Sequence, residues 1–174
     1  KDMQSRREVQ REQSRGSSMR TIRNLLIAIL LILLIVWSVF AVSNQPRNSA
    51  RRQTISLAEK YAHLQSPDQF YIYNRENTYY TISGKNQQNQ PILVMVPQHG
   101  GKIRVLKQSS GITAARARAM TKSNRDLREI LKVAPGIFND KIVWEVTYRN
   151  QKGNLCYDLI NFKTGQYVQN INNL

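Results

Sequence analysis

The side chains able to do chemistry in this chain are few and dispersed. Two histidines, His63 and His99, stand at a helix end and in a turn, with no HxxxH, HExxH or cysteine cluster beside them, so the spacing that holds zinc is missing. The single cysteine, Cys156, lies in the strand-like LCYDLINF and reads as a packed residue; alone it makes no intrachain disulfide. Eight acids follow the apolar segment (Glu59, Asp68, Glu76, Asp126, Glu129, Asp140, Glu145, Asp158), scattered rather than paired for acid–base work. Ser109, Ser110 and Gly111 do not build a GxSxG elbow, and Gly100 with Gly101 is a turn rather than a phosphate loop. The expectation is a noncatalytic protein without metal or cofactor.

The remaining candidates bind rather than react. Arg118, Lys122 and Arg125 recur at i, i+4 and i+7, a basic stripe if one helix carries all three; a solvated helix face is the alternative. Arg47, Arg51 and Arg52 follow the apolar segment closely enough to meet anionic headgroups, at about 1 kcal/mol each. Lys102, Arg104 and Lys107 alternate with Ile103, Val105 and Leu106 near a strand end, where charge blunts an exposed edge. Tyr71 and Tyr73 share a strand face, as an exposed aromatic patch or as sheet core.

The elements that must position these residues begin with LLIAILLILLIVWSVFAV, residues 25–42, free of charge, Gly and Pro. As a helix it spans about 27 Å, close to the roughly 30 Å of a bilayer's hydrocarbon. A core helix would keep a polar stripe, and this run has only Ser38; a cleaved signal peptide is the other alternative, although its apolar region is usually shorter. Seven basic residues precede the run (Lys1, Arg6, Arg7, Arg11, Arg15, Arg20, Arg23) and three follow closely, which directs the N-terminus to the cytoplasm. Counted from Met19, a plausible natural start, the balance is two against three and charge alone does not set the direction. The expected organisation is a disordered cytoplasmic leader at 1–24, a transmembrane helix at 25–42 and a linker at 43–48, followed by units at 49–110 and 111–174.

The formal net charge is +15 over the chain, and the part after Val42 keeps 19 basic and 8 acidic residues, a field for anionic partners. Outside a membrane those are lipid headgroups, wall polymers or an acidic protein; nucleic acid is not expected there. Sliding the sequence by 64 positions sets Asn86-Gln87 on Asn150-Gln151, Gly101 on Gly165 and Ala50 with Arg52 on Ala114 with Arg116, the mark of a duplication. Each copy reads as one helix and then strands. Ala50, Thr54, Leu57, Tyr61 and Leu64 trace one helical face, and Thr113 caps a second helix behind the staple Ile112. Period-two runs at 70–73, 79–83, 92–96 and 103–106, then at 127–133, 142–149, 155–162 and 166–171, are the strands, with hairpin turns at 150–153 and 163–165. Within IVWEVTY, Trp144, Val146 and Tyr148 take one face, Val143, Glu145 and Thr147 the other, and one covered face under the helix is expected. The fold class is α+β.

The stretch IVWEVTYRNQKGNLCYDLINFKTGQYVQNI, with FYIYNRENTYYTISG and the helix GITAARARA, resembles the TseB-like cell wall elongation regulators over roughly residues 45–172. The resemblance implies two cystatin-like (PepSY-like) repeats, each one helix against an antiparallel sheet, held outside a Gram-positive cell by the N-terminal anchor. It further implies a noncatalytic role in peptidoglycan elongation through a class B penicillin-binding protein, with Trp144 in the core. The family brings no catalytic motif to this sequence. A binding module for anionic wall polymer or lipid, and a PepSY-like protease inhibitor, are the competing expectations.

Overall fold

The computed structural model describes residues 2–172, with side chains at 20, 22–41 and 45–172. The chain divides into two units, Lys1–Asn48 and Ser49–Leu174. One helix, α1 (Asp2–Ala62), contributes to both. In the first unit the apolar residues from Ile22 to Phe40 are exposed, and the helix that carries them is long and apolar enough to cross a membrane. Residues 2–24 and 43–48, expected as a disordered leader and a linker, lie in α1, with Pro46 inside the helix. Nucleating a helix is the costly step, and beside an apolar helix, leader residues such as Arg, Gln and Glu need only propagate it. The side chains of residues 1–19, 21 and 42–44 lie outside the described residues.

In the second unit α1 ends at Ala62, and His63 turns the chain through a positive φ of 51° straight into a strand. Two four-stranded antiparallel sheets follow. The first has the order β1 (Leu64–Asn74), β2 (Thr78–Asn86), β3 (Pro91–Pro97), β4 (Arg104–Lys107). The second has the order β5 (Leu127–Phe138), β6 (Lys141–Asn150), β7 (Leu155–Asn161), β8 (Tyr167–Ile171). Between them lies α2 (Ala114–Asn124), whose Thr113 cap accepts a hydrogen bond from the Arg116 N–H at 3.1 Å. Strand β1 begins earlier than its period-two run because two register shifts carry the pairing across Ser66 and Pro67 on an edge strand, where Pro is tolerated. Asn139 and Asp140, both at positive φ, make the two-residue turn between β5 and β6.

The last turns of α1 cover one face of the first sheet, with Ala58 packed on Leu64, Ile82, Ile92, Val94 and Val96. Helix α2 does the same for the second sheet, with Ala117 among Val133, Trp144, Val146, Ile160 and Phe162. That core also takes in Leu93, Tyr71 and Leu106 from the first sheet, so the two sheets share it. The expectation of a single covered face on β6 is corrected here. Every residue from Val143 to Tyr148 is buried, because Tyr73 of β1 packs on the face opposite α2, against Val143 and Leu159. Gly136 makes room for that ring: a Cβ there would stand 2.2 Å from Tyr73.

Candidate docking surface

Both acids that the fold buries most deeply are held by internal partners. Glu145, 2% exposed on β6, accepts from Arg75 Nε at 2.6 Å and lies 3.2 Å from Lys132 Nζ. Arg75 comes from the β1–β2 turn of the first sheet and also stacks 5.1 Å over the Tyr157 ring. Lys132 Nζ donates to the Ile72 carbonyl at 3.3 Å, so this cluster ties the two sheets together. A carboxylate taken out of water needs such partners, since unpaired it would cost several kcal/mol, of order ~3–5 when one partner is removed.

Asp158, fully buried on β7, is the second. Arg125 Nε donates to both its oxygens at 3.1 Å, Thr121 Oγ1 donates at 3.1 Å, and Asn170 Nδ2 adds a further hydrogen bond. Arg125 then lies 4.9 Å over the Tyr167 ring, closing the gap between the end of α2 and edge strand β8. The hydrogen bond to Asp158 raises the Arg125 pKa above its ordinary value.

These contacts redraw two expectations. Helix α2 stops at Asn124, and Arg125 is its extended cap, so the stripe loses that member while Arg118 and Lys122 remain exposed on the helix. Tyr73 is fully buried and Tyr71 is half-buried, edge-on to Trp144 at 6.0 Å, so the pair is core between the sheets rather than an exposed patch. Burial raises the phenol pKa of both. Trp144 donates from Nε1 to the Ile112 carbonyl at 2.8 Å, which fixes the entry to α2. Arg47, Arg51 and Arg52 are exposed along α1, Arg52 reaching Ser49 Oγ at 3.4 Å.

Lys102 and Arg104 are exposed beside a feature that the sequence reading missed. Between the last turns of α1 and the β3–β4 region runs an open groove of about 690 Å³, lined by Leu57, Tyr61, Val96, Pro97, Ile103 and Val105, with Lys102 at its rim. Tyr61 is 57% and Val105 47% exposed. Shifted by 64 residues, Leu57 falls on Thr121, Tyr61 on Arg125, Val94 on Asp158 and Ile103 on Tyr167. Three members of the Asp158 network, Thr121, Arg125 and Asp158, thus correspond to apolar or aromatic residues in or behind the groove. That exchange was the available signal, visible only once the two halves are compared position by position.

Comparison with known proteins gives three likenesses. Residues 53–97 match the model of the cell wall elongation regulator TseB-like domain. The probable cell wall elongation regulator TseB of Bacillus subtilis (strain 168) is 23% identical over 146 residues, covering 83% of this chain and 91% of that protein. The solved structure of the YpmB protein from Bacillus subtilis has the same fold, with a TM-score of 0.62 and 24% identity over 70% of this chain and 95% of that one. The resemblance to the TseB-like cell wall elongation regulator family, first read from the strand and turn motifs of this sequence, is thereby shown.

Proposed function

We propose that this chain is a noncatalytic, single-pass membrane protein that regulates cell wall elongation by docking on a wall-synthesis protein, a class B penicillin-binding protein, outside the membrane. The observation that carries this reading is the likeness, over most of both chains, to a protein named as a probable cell wall elongation regulator. The geometry supports it: Glu145 and Asp158, the buried acids, are each committed to internal cations, while the groove beside β4 leaves apolar surface open. In this reading Ile22–Phe40 lies in the bilayer with the N-terminus in the cytoplasm, and the two sheets with their helices are cystatin-like repeats produced by duplication. Photo-crosslinking in living cells from exposed positions of residues 49–172 tests it. Capture of a transpeptidase or another wall-synthesis enzyme is expected; a full set of positions capturing none overturns it.

A second reading, attraction to anionic wall polymer or lipid, is favoured by the exposed Arg47, Arg51 and Arg52. Binding of the full chain to anionic vesicles or teichoic-type polymer should then weaken steeply with salt, and salt-insensitive binding would remove this reading.

A further inference from the structure

We propose that the open edge of β4, with the groove beside it, receives an extended acidic–apolar segment of a partner protein as a fifth strand of the first sheet. This rests on the docking role proposed above and deepens it by naming the surface and the chemistry of what docks.

Strand β4 is outermost in its sheet, and its outer edge pairs with no strand among the described residues. Such an edge offers a row of backbone donors and acceptors to any extended chain. Register opposes Val105 to Val94 and Lys107 to Ile92, which sets Val105 on the face that α1 covers. The helix reaches Val94 but leaves Val105 half open, and the groove between Val105 and Tyr61 is the result. A strand added along β4 would project alternate side chains over that groove, so its residues on this face must be apolar.

Charge selects among the possible occupants. Lys102 lines the groove, Arg104 is exposed on the face of β4 opposite Val105, and Lys60 lies 5.2 Å over the Tyr61 ring. Glu59, the one acid on this stretch of α1, is set off the Leu57–Tyr61 row. A second copy of this chain pairing β4 to β4 would bring Arg104 and Lys107 against like charges, which disfavours it. An anionic headgroup or wall polymer would answer the charges but leave Val105, Tyr61 and the backbone edge unmatched. A segment alternating carboxylates with aliphatic residues answers all three. The second half bridges the equivalent place with Arg125 over Tyr167, which the first half does not.

The test uses the full chain in detergent micelles or nanodiscs and a synthetic peptide alternating Glu with Val. Saturable binding is expected, at least about tenfold tighter than for a Lys–Val peptide. Methylating alternate peptide nitrogens should abolish it, as should Val105→Asp, whose fold is checked by circular dichroism. Equal binding of the two peptides, indifference to N-methylation, or no binding at millimolar peptide overturns the proposal. In cells, a photo-crosslinker at Val105 should capture the wall-synthesis protein. Capture from exposed Thr164 and other faces but not from Val105 overturns this surface and leaves the docking role standing; capture from none overturns the role itself.

Discussion

The two halves of the second unit place elements of the same kind in the same order and finish them differently. Where the second half buries Asp158 under Thr121, Arg125 and Asn170, the first has Val94 in an apolar cluster against which Leu57 packs, with Tyr61 exposed at the groove. In the second half a long cation bridges helix and edge strand through Tyr167; in the first the same gap stays open as a groove. The difference teaches that a shared backbone plan leaves the helix–edge junction chemically free. A polar network there demands complete pairing and closes the junction, because an unpaired buried charge is prohibitive. Apolar residues make no such demand, and the surface stays open for another chain.

The largest effect should come from opening the second half. Arg125→Ala leaves the Asp158 carboxylate buried with only Thr121 and Asn170, and is expected to cost about 3 kcal/mol in unfolding of the full chain in detergent. Tyr61→Ala at the matching position, more than half exposed, should cost about 1 kcal/mol or less. Equal costs would break the comparison.

Next comes the seam where the halves meet. Gly136→Ala drives a Cβ to within 2.2 Å of the buried Tyr73 ring and should lower stability by about 2 kcal/mol, with loss of the near-ultraviolet signal of the packed aromatics. Retention of wild-type stability would show that the two halves do not meet there.

A smaller effect is a matter of pH. Burial, and then the nearby Glu145, raise the Tyr73 phenol well above its unfolded value of about 10. Its contribution to stability is therefore intact below about pH 10 and is lost as pH climbs through the higher folded value. Tyr73→Phe keeps the ring and removes the titration, so wild type should lose stability relative to the variant only above that pH. A constant difference between them from pH 7 to 11 would contradict the assignment.

The smallest stability effect belongs to the groove. Val105→Asp, on a half-exposed edge strand, should shift unfolding by about 0.5 kcal/mol or less. A large loss would mean that the groove is part of the core and not an open surface.

Much of this was legible residue by residue. The eight period-two runs are eight strands, Thr113 caps α2 as its hydroxyl allows, and Gly153 and Gly165 take the positive φ their turns require. The candidate site was less legible. The charge of Lys102 and Arg104 is plain in the sequence, but the apolar floor between them and α1 is not, since the spacing of Leu57 and Tyr61 is that of an ordinary core-facing row. The i, i+4, i+7 spacing puts Arg125 on a basic stripe, but the helix ends at Asn124 before reaching it.

By itself the sequence determined whatever depends on neighbours along the chain: the exposed apolar stretch of α1, the caps, the turns and the alternation of each strand. These follow from propensity and period, which act over a few residues. Only the tertiary structure decided which alternating face met a second layer. Val143, Glu145 and Thr147 read as the outer face of a half-covered strand, yet packing against β1 buried them and forced Glu145 to find Arg75 seventy residues away. The same packing withdrew Tyr73 from the surface and left Val105 on it, because burial is a property of what the fold brings together and no local pattern carries it.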